Sequence, residues 1–112
     1  MGILTSSSSS AWIRKQGDLI AAEVKEIDSF NFNNFLSSRY VVSLQKPTEN
    51  QARMFDLSIS RKNNDVKHQI FARVGDNIEY DFSVTLSSGR VVLTLTNTGT
   101  TALRFILYRL DF

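Results

Sequence analysis

The chain has 112 residues, 42% hydrophobic and 21% charged, with 13 basic and 11 acidic side chains and a formal net charge of +2. These totals describe one ordinary globular domain and argue against bulk disorder, a fibrous repeat or a separate regulatory unit. The absence of cysteine excludes thiol catalysis, disulfide staples and thiolate metal sites together.

Residues 1–10 place Ile3 and Leu4 ahead of a five-serine run, Ser6 to Ser10, and Trp12 and Ile13 follow at once. Serine runs bury little and behave as linkers. The segment reads either as a disordered terminus or as an arm whose Ile3, Leu4, Trp12 and Ile13 dock on a neighbouring subunit. The expected organisation is an N-terminal arm over 1–17 and a β domain over 18–112.

Residues 18–30, DLIAAEVKEIDSF, admit two structures. Asp18 can cap a helix with Leu19, Ile20, Val24 and Ile27 on one face, and two alanines and two glutamates favour that state. An irregular strand with Ile20, Ala22 and Val24 on one side fits the β context that follows, and strand is the expectation.

The segment Phe30-Asn31-Phe32-Asn33-Asn34-Phe35 interleaves aromatic rings with amides. It can line a sugar-binding surface, with Phe30, Asn31, Phe32 and Asn33 as ligand contacts, or form a corner with its rings in the core.

From Tyr40 the hydrophobic period is two. Tyr40, Val42 and Leu44 alternate with Val41, Ser43 and Gln45, and the run ends at Lys46-Pro47-Thr48-Glu49-Asn50. Phe55, Leu57 and Ile59 oppose Asp56, Ser58 and Ser60. After a turn at Lys62 to Asp65, the residues Val66, His68, Ile70, Ala72 and Val74 share one face, which leaves Phe71 facing outward between Gln69 and Arg73. Gly75-Asp76-Asn77 leads into a strand carrying Ile78, Tyr80, Phe82, Val84 and Leu86.

Ser87-Ser88-Gly89 signals a tight hairpin into Val91, Leu93 and Leu95. The final run sets Leu103, Phe105 and Leu107 against Ile106, Tyr108 and Leu110, apolar on both faces. Such a strand belongs inside a sheet or at a subunit interface. Turn signals every ten to twelve residues predict an all-β antiparallel β-sandwich, with a small barrel as the alternative.

A catalytic site finds little support in these residues. The one histidine, His68, has no nucleophile or orienting acid at a recognisable spacing. A zinc site draws three or four ligands from Cys, His, Asp and Glu, so no metal, cofactor or enzymatic activity is expected. Lysine and arginine are dispersed, with Arg14-Lys15 and Arg61-Lys62 as the only adjacent pairs, so no nucleic-acid partner is expected either. No apolar run reaches bilayer length, and no membrane partner is expected.

Asp28-Ser29-Phe30, followed by Phe35-Leu36-Ser37-Ser38-Arg39-Tyr40-Val41-Val42-Ser43-Leu44, resembles a recurring small β domain of tailed-bacteriophage virion proteins. Val91 to Asn97 and the aliphatic–aromatic last strand fit the same pattern. The resemblance covers residues 23–112, apart from the Phe/Asn-rich insert at 31–34, and includes no catalytic signature. It implies a virion structural protein, either a head decoration (cement) subunit or a tail or baseplate accessory. Its implied partners are other capsid or tail subunits and further copies of itself. On that reading Phe71, Tyr108 and Phe112 join the arm residues as candidate protein contacts, and the Phe/Asn segment is the alternative as a carbohydrate- or receptor-binding surface.

Overall fold

The computed structural model describes residues 12–30 and 35–112. Eight strands run in chain order: β1 (Ile13–Leu19), β2 (Val24–Phe30), β3 (Phe35–Lys46), β4 (Gln51–Lys62), β5 (Asp65–Gly75), β6 (Asp81–Ser87), β7 (Arg90–Thr96) and β8 (Leu103–Asp111). They form two antiparallel sheets, a five-stranded one in the order β1-β8-β3-β4-β5 and a three-stranded one in the order β2-β7-β6. The sheets face each other without closing into a barrel, so the sandwich expectation holds.

The period-two pattern builds the core directly. Tyr40, Val42 and Leu44 from β3, Phe55, Leu57 and Ile59 from β4, and Leu103, Phe105 and Leu107 from β8 are buried from one side. Ile27 and Phe30 of β2 and Val91, Leu93 and Leu95 of β7 meet them from the other. Phe55 stacks on Tyr80 and meets Phe82 edge-on, with centroids 5.9 and 5.7 Å apart, within the range that favours aromatic pairs. The doubly apolar β8 lies inside the larger sheet, between β1 and β3.

Turn chemistry fixes the registers. Ser88 and Gly89 both have positive φ, 51° and 77°, and Ser87 pairs with Arg90. This is the two-residue primed turn whose twist matches a hairpin. Arg61 Nη1 donates to Gly89 O at 2.9 Å and its Nε to Asn63 O at 2.9 Å, so one buried guanidinium joins hairpin turns of both sheets. At the opposite end the side-chain amide of buried Asn97 donates to Leu19 O, Ile20 O and Thr101 O, and its oxygen accepts from Gly99 N. That amide anchors the corner where the chain leaves one sheet for the other.

Three local expectations change. Residues 18–30 are extended, yet they form two strands in different sheets, separated by a turn at Ile20 to Glu23 in which Ala22 has φ 65°. Ile20 and Val24 are consequently 72% and 64% exposed rather than facing the core. The boundary at residue 17 falls within β1, because Ile13 to Leu19 pair with Arg109 to Leu103. In β5 a bulge intervenes: Asp56 opposes Phe71 while Met54 opposes Val74, and Ala72 has φ 54°. The extra residue turns Val74 outward, 66% exposed, although alternation placed it with Ile70.

Candidate assembly interface

One network of charges among the described residues is internal and joins the two sheets. A bulge between Glu26 and Asp28 in β2 buries both Ile27 and Asp28. The Asp28 carboxylate crosses to the larger sheet, where it accepts from Tyr40 Oη at 2.8 Å and from Arg109 Nη1 at 2.9 Å. Lys15 Nζ pairs with its other oxygen at 2.6 Å. Arg109 also pairs with Asp111 at 3.1 Å, Asp111 accepts from Ser38 Oγ at 2.6 Å, and the guanidinium carbon lies 4.6 Å from the Phe30 ring centroid. Burial above all, then the Asp28 charge and the bond to it, push the Tyr40 hydroxyl far above its usual range, against the opposing Arg109 charge. Burial of Arg109 works against its charge, but Asp28, Asp111 and Tyr40 outweigh it and hold the guanidinium protonated.

This cluster explains two motifs that carried the resemblance. Asp28 and Phe30 on one sheet and Tyr40 on the other are halves of a single inter-sheet staple. It is ill suited to chemistry, because the carboxylate is closed off and engaged by three partners. Its sequence signal is Arg109, which continues the inward row Leu103, Phe105, Leu107 and so demands a buried counter-charge. Among the described residues no group of three or more His, Asp or Glu side chains converges on a metal-sized site.

The outward faces of the two sheets differ sharply. Cross-strand partners share a face, so the registers give each face directly. On the small sheet the rows are Ser29–Val92–Thr85, Glu26–Thr94–Ser83 and Val24–Thr96–Asp81. That face is mostly hydroxyl and carboxylate. On the large sheet one row crosses all five strands as Arg14–Tyr108–Val41–Asp56–Phe71, and the next reads Gln16–Ile106–Ser43–Met54–Val74. Leu110 flanks them opposite Arg39.

Trp12, Val41 and Tyr108 line a shallow apolar hollow on this face, with Trp12 45% and Tyr108 39% exposed. Arginines frame it. Arg14 donates from Nε to Tyr108 Oη at 3.2 Å and lies 5.9 Å from that ring's centroid. Arg39 lies 5.5 Å from the Phe71 centroid and pairs with Asp56 at 3.1 Å. Half-exposed aromatics held by arginines are typical of interface anchors.

The predicted contact residues therefore separate. Trp12, Tyr108 and Phe71 gather on the outer face of the large sheet, joined by Val41, Ile106 and Met54, which alternation alone left as unremarkable outward positions, and by Val74, which the β5 bulge turns outward. Ile13 opposes Arg109 on the inner side of the edge strand and is 40% exposed. Phe112, 71% exposed, walls a separate hollow beside Ser37, Ser58 and Ser60, and its N–H donates to Ser37 O. Ile3 and Leu4 lie outside the described residues, as do Asn31, Phe32 and Asn33. Phe30 is turned into the core, 7% exposed and stacked on Tyr40, so its ring is not presented as a sugar-stacking surface.

Compared with known families and with curated proteins, the chain matches none. Among solved structures it is similar in fold to the tailspike protein of Acinetobacter phage vB_ApiP_P1, with a TM-score of 0.51 and 13% sequence identity. The match covers 96% of this chain and 22% of the tailspike. The likeness is one of fold, and this two-sheet arrangement thus recurs as a minor part of a much longer phage tail protein.

Proposed function

We propose that this chain is a non-enzymatic structural module of a bacteriophage tail, which works by assembly through the outer face of its five-stranded sheet. The observation that carries the reading is the contrast between the two outward faces. A sheet face left to water is normally polar, as the Ser/Thr-covered small sheet is. The large sheet instead presents Trp12, Val41, Met54, Phe71, Val74, Ile106, Tyr108 and Leu110, interspersed with Arg14, Arg39, Ser43 and Asp56, and apolar side chains gathered on one face in this way mark interaction sites.

The fold likeness to part of a tailspike favours a tail location over capsid decoration. The closed Asp28 cluster, its carboxylate held by Tyr40, Arg109 and Lys15, supports a scaffold over a catalyst. Mass spectrometry of purified phage particles, before and after separation of tails from heads, tests this. The chain should partition with the tail fraction, and particles carrying Tyr108→Lys should contain less of it. Absence from particles, or recovery with heads alone, overturns the reading.

A further inference from the structure

We infer that the surface covering the outer face of the five-stranded sheet is a second copy of this chain, packed face to face about a two-fold axis that lies parallel to the strands at Val41. This deepens the assembly reading and rests on it. Val41 is the middle member of the row Arg14–Tyr108–Val41–Asp56–Phe71. The row is chemically antisymmetric about that point, with a cation and a phenol on one side and a carboxylate and a phenyl ring on the other.

A two-fold axis lying between apposed faces along the strand direction exchanges the two sides. It sets Val41 against Val41, the Tyr108 hydroxyl over Asp56, and Arg14 over the Phe71 ring with Asp56 adjacent. Each contact then occurs twice, as an isologous interface requires. In the next row Ser43 meets Ser43, Ile106 meets Met54 and Gln16 meets Val74; on the other side of Val41 the two Arg39 side chains come together at the axis, each already paired with Asp56 of its own chain. On the opposite face the same operation about β7 sets Ser29 over Thr85, Glu26 over Ser83 and Val24 over Asp81, with no aromatic or cationic anchor among them.

Arg14 is the charge that a second copy would pair. Asp18 is paired with Arg104 and Asp56 with Arg39, whereas Arg14 contacts only the neutral oxygens of Tyr108 and Gln16 among the described residues. A second copy brings Asp56 within reach of it. Area is of the right order as well. At about 4.8 Å between strands and about 3.3 Å per residue, the five strands present roughly 600 Å² in projection. A face covered in side chains has more accessible area than its projection, which approaches the roughly 800 Å² per partner of a stable complex. The broad side of the molecule, 45 × 33 Å with a thickness of 21 Å, accommodates it.

Sedimentation equilibrium of the whole chain over a wide concentration range reads the stoichiometry. Twice the chain mass is expected, with Val41→Arg and Met54→Lys each weakening association at least tenfold and Thr94→Arg on the small sheet leaving it unchanged; far-UV circular dichroism establishes that each variant is folded. Because the chain has no cysteine, a single Val41→Cys near the axis gives a covalent dimer with a short bismaleimide, and Thr94→Cys does not. A wild-type chain that stays monomeric, a dimer indifferent to both outer-face variants, or equal cross-linking at the two positions overturns the inference. A monomeric chain that still enters tails in a Tyr108-dependent way would sink self-association and leave the assembly reading intact. A dimer absent from particles does the reverse.

Discussion

Replacing Asp28 by alanine isolates the inter-sheet staple. The Asp28 side chain has no exposed surface and that of Arg109 is 10% exposed, so removal leaves Arg109 buried with only Asp111, whose side chain is 36% exposed. The Tyr40 hydroxyl also loses its acceptor. Breaking one side of a buried ion pair costs roughly 3–5 kcal/mol, and we expect about 4 kcal/mol here. Lys15 contributes little to that figure, because its side chain is 42% exposed and its pairing is screened. With an m-value of about 1.5 kcal/mol/M in urea, the midpoint falls by roughly 2–3 M at unchanged slope. Tyr40→Phe, which removes one hydrogen bond to a carboxylate, costs about 1.5–3 kcal/mol. Combining Asp28→Ala with Arg109→Met should cost less than Asp28→Ala alone, since no buried cation is then left unpaired. A cost under about 1 kcal/mol for Asp28→Ala, or a double variant less stable than that single one, would refute the staple.

Tyr40 also predicts an alkaline limit. Its folded pKa is raised, so above pH of about 10 the unfolded chain releases a proton that the folded chain keeps. Stability is therefore full below that pH and declines above it, and Tyr40→Phe should remove one proton's worth of the slope; an unchanged slope in urea titrations between pH 9 and 11 (roughly the window set by a free tyrosine) would refute it. Asn97→Ala, which strips the corner carbonyls of a shared donor, should cost about 2–4 kcal/mol by the same denaturation assay. Gly75→Ala should cost about 2 kcal/mol or more, because φ is +111° and an added Cβ would collide with the Ala52 carbonyl. Ser88→Asn should raise stability by about 0.5 kcal/mol, since asparagine suits the left-handed first position of the primed turn better than serine.

Strand alternation made the core legible, and the inward rows of β3, β4, β7 and β8 follow from it residue by residue. It failed where an extra residue shifts the phase. The bulges at Ile27 and at Ala72 are invisible to a strict period of two, and they decide that Asp28 is buried and that Val74 is not. The site was half legible for a related reason. Phe71 and Tyr108 stand out as single outward aromatics, but Val41 and Met54 acquire meaning only from the register that lines them up across strands. Long-range pairing of that kind is not encoded in any one segment.

The order of strands in the large sheet also constrains how the molecule is made. β8 fills the gap between β1 and β3, so the pairing of Ile13 with Arg109 and of Val42 with Leu107 must await the last strand. During synthesis β1 therefore has no hydrogen-bonded neighbour, and β3 carries one open edge, until β8 has left the ribosome. Closure of so long a loop slows folding, and open strand edges are adhesive while they wait. Mutations that delay β8, rather than those that weaken the finished core, should be the ones that send this protein into aggregates.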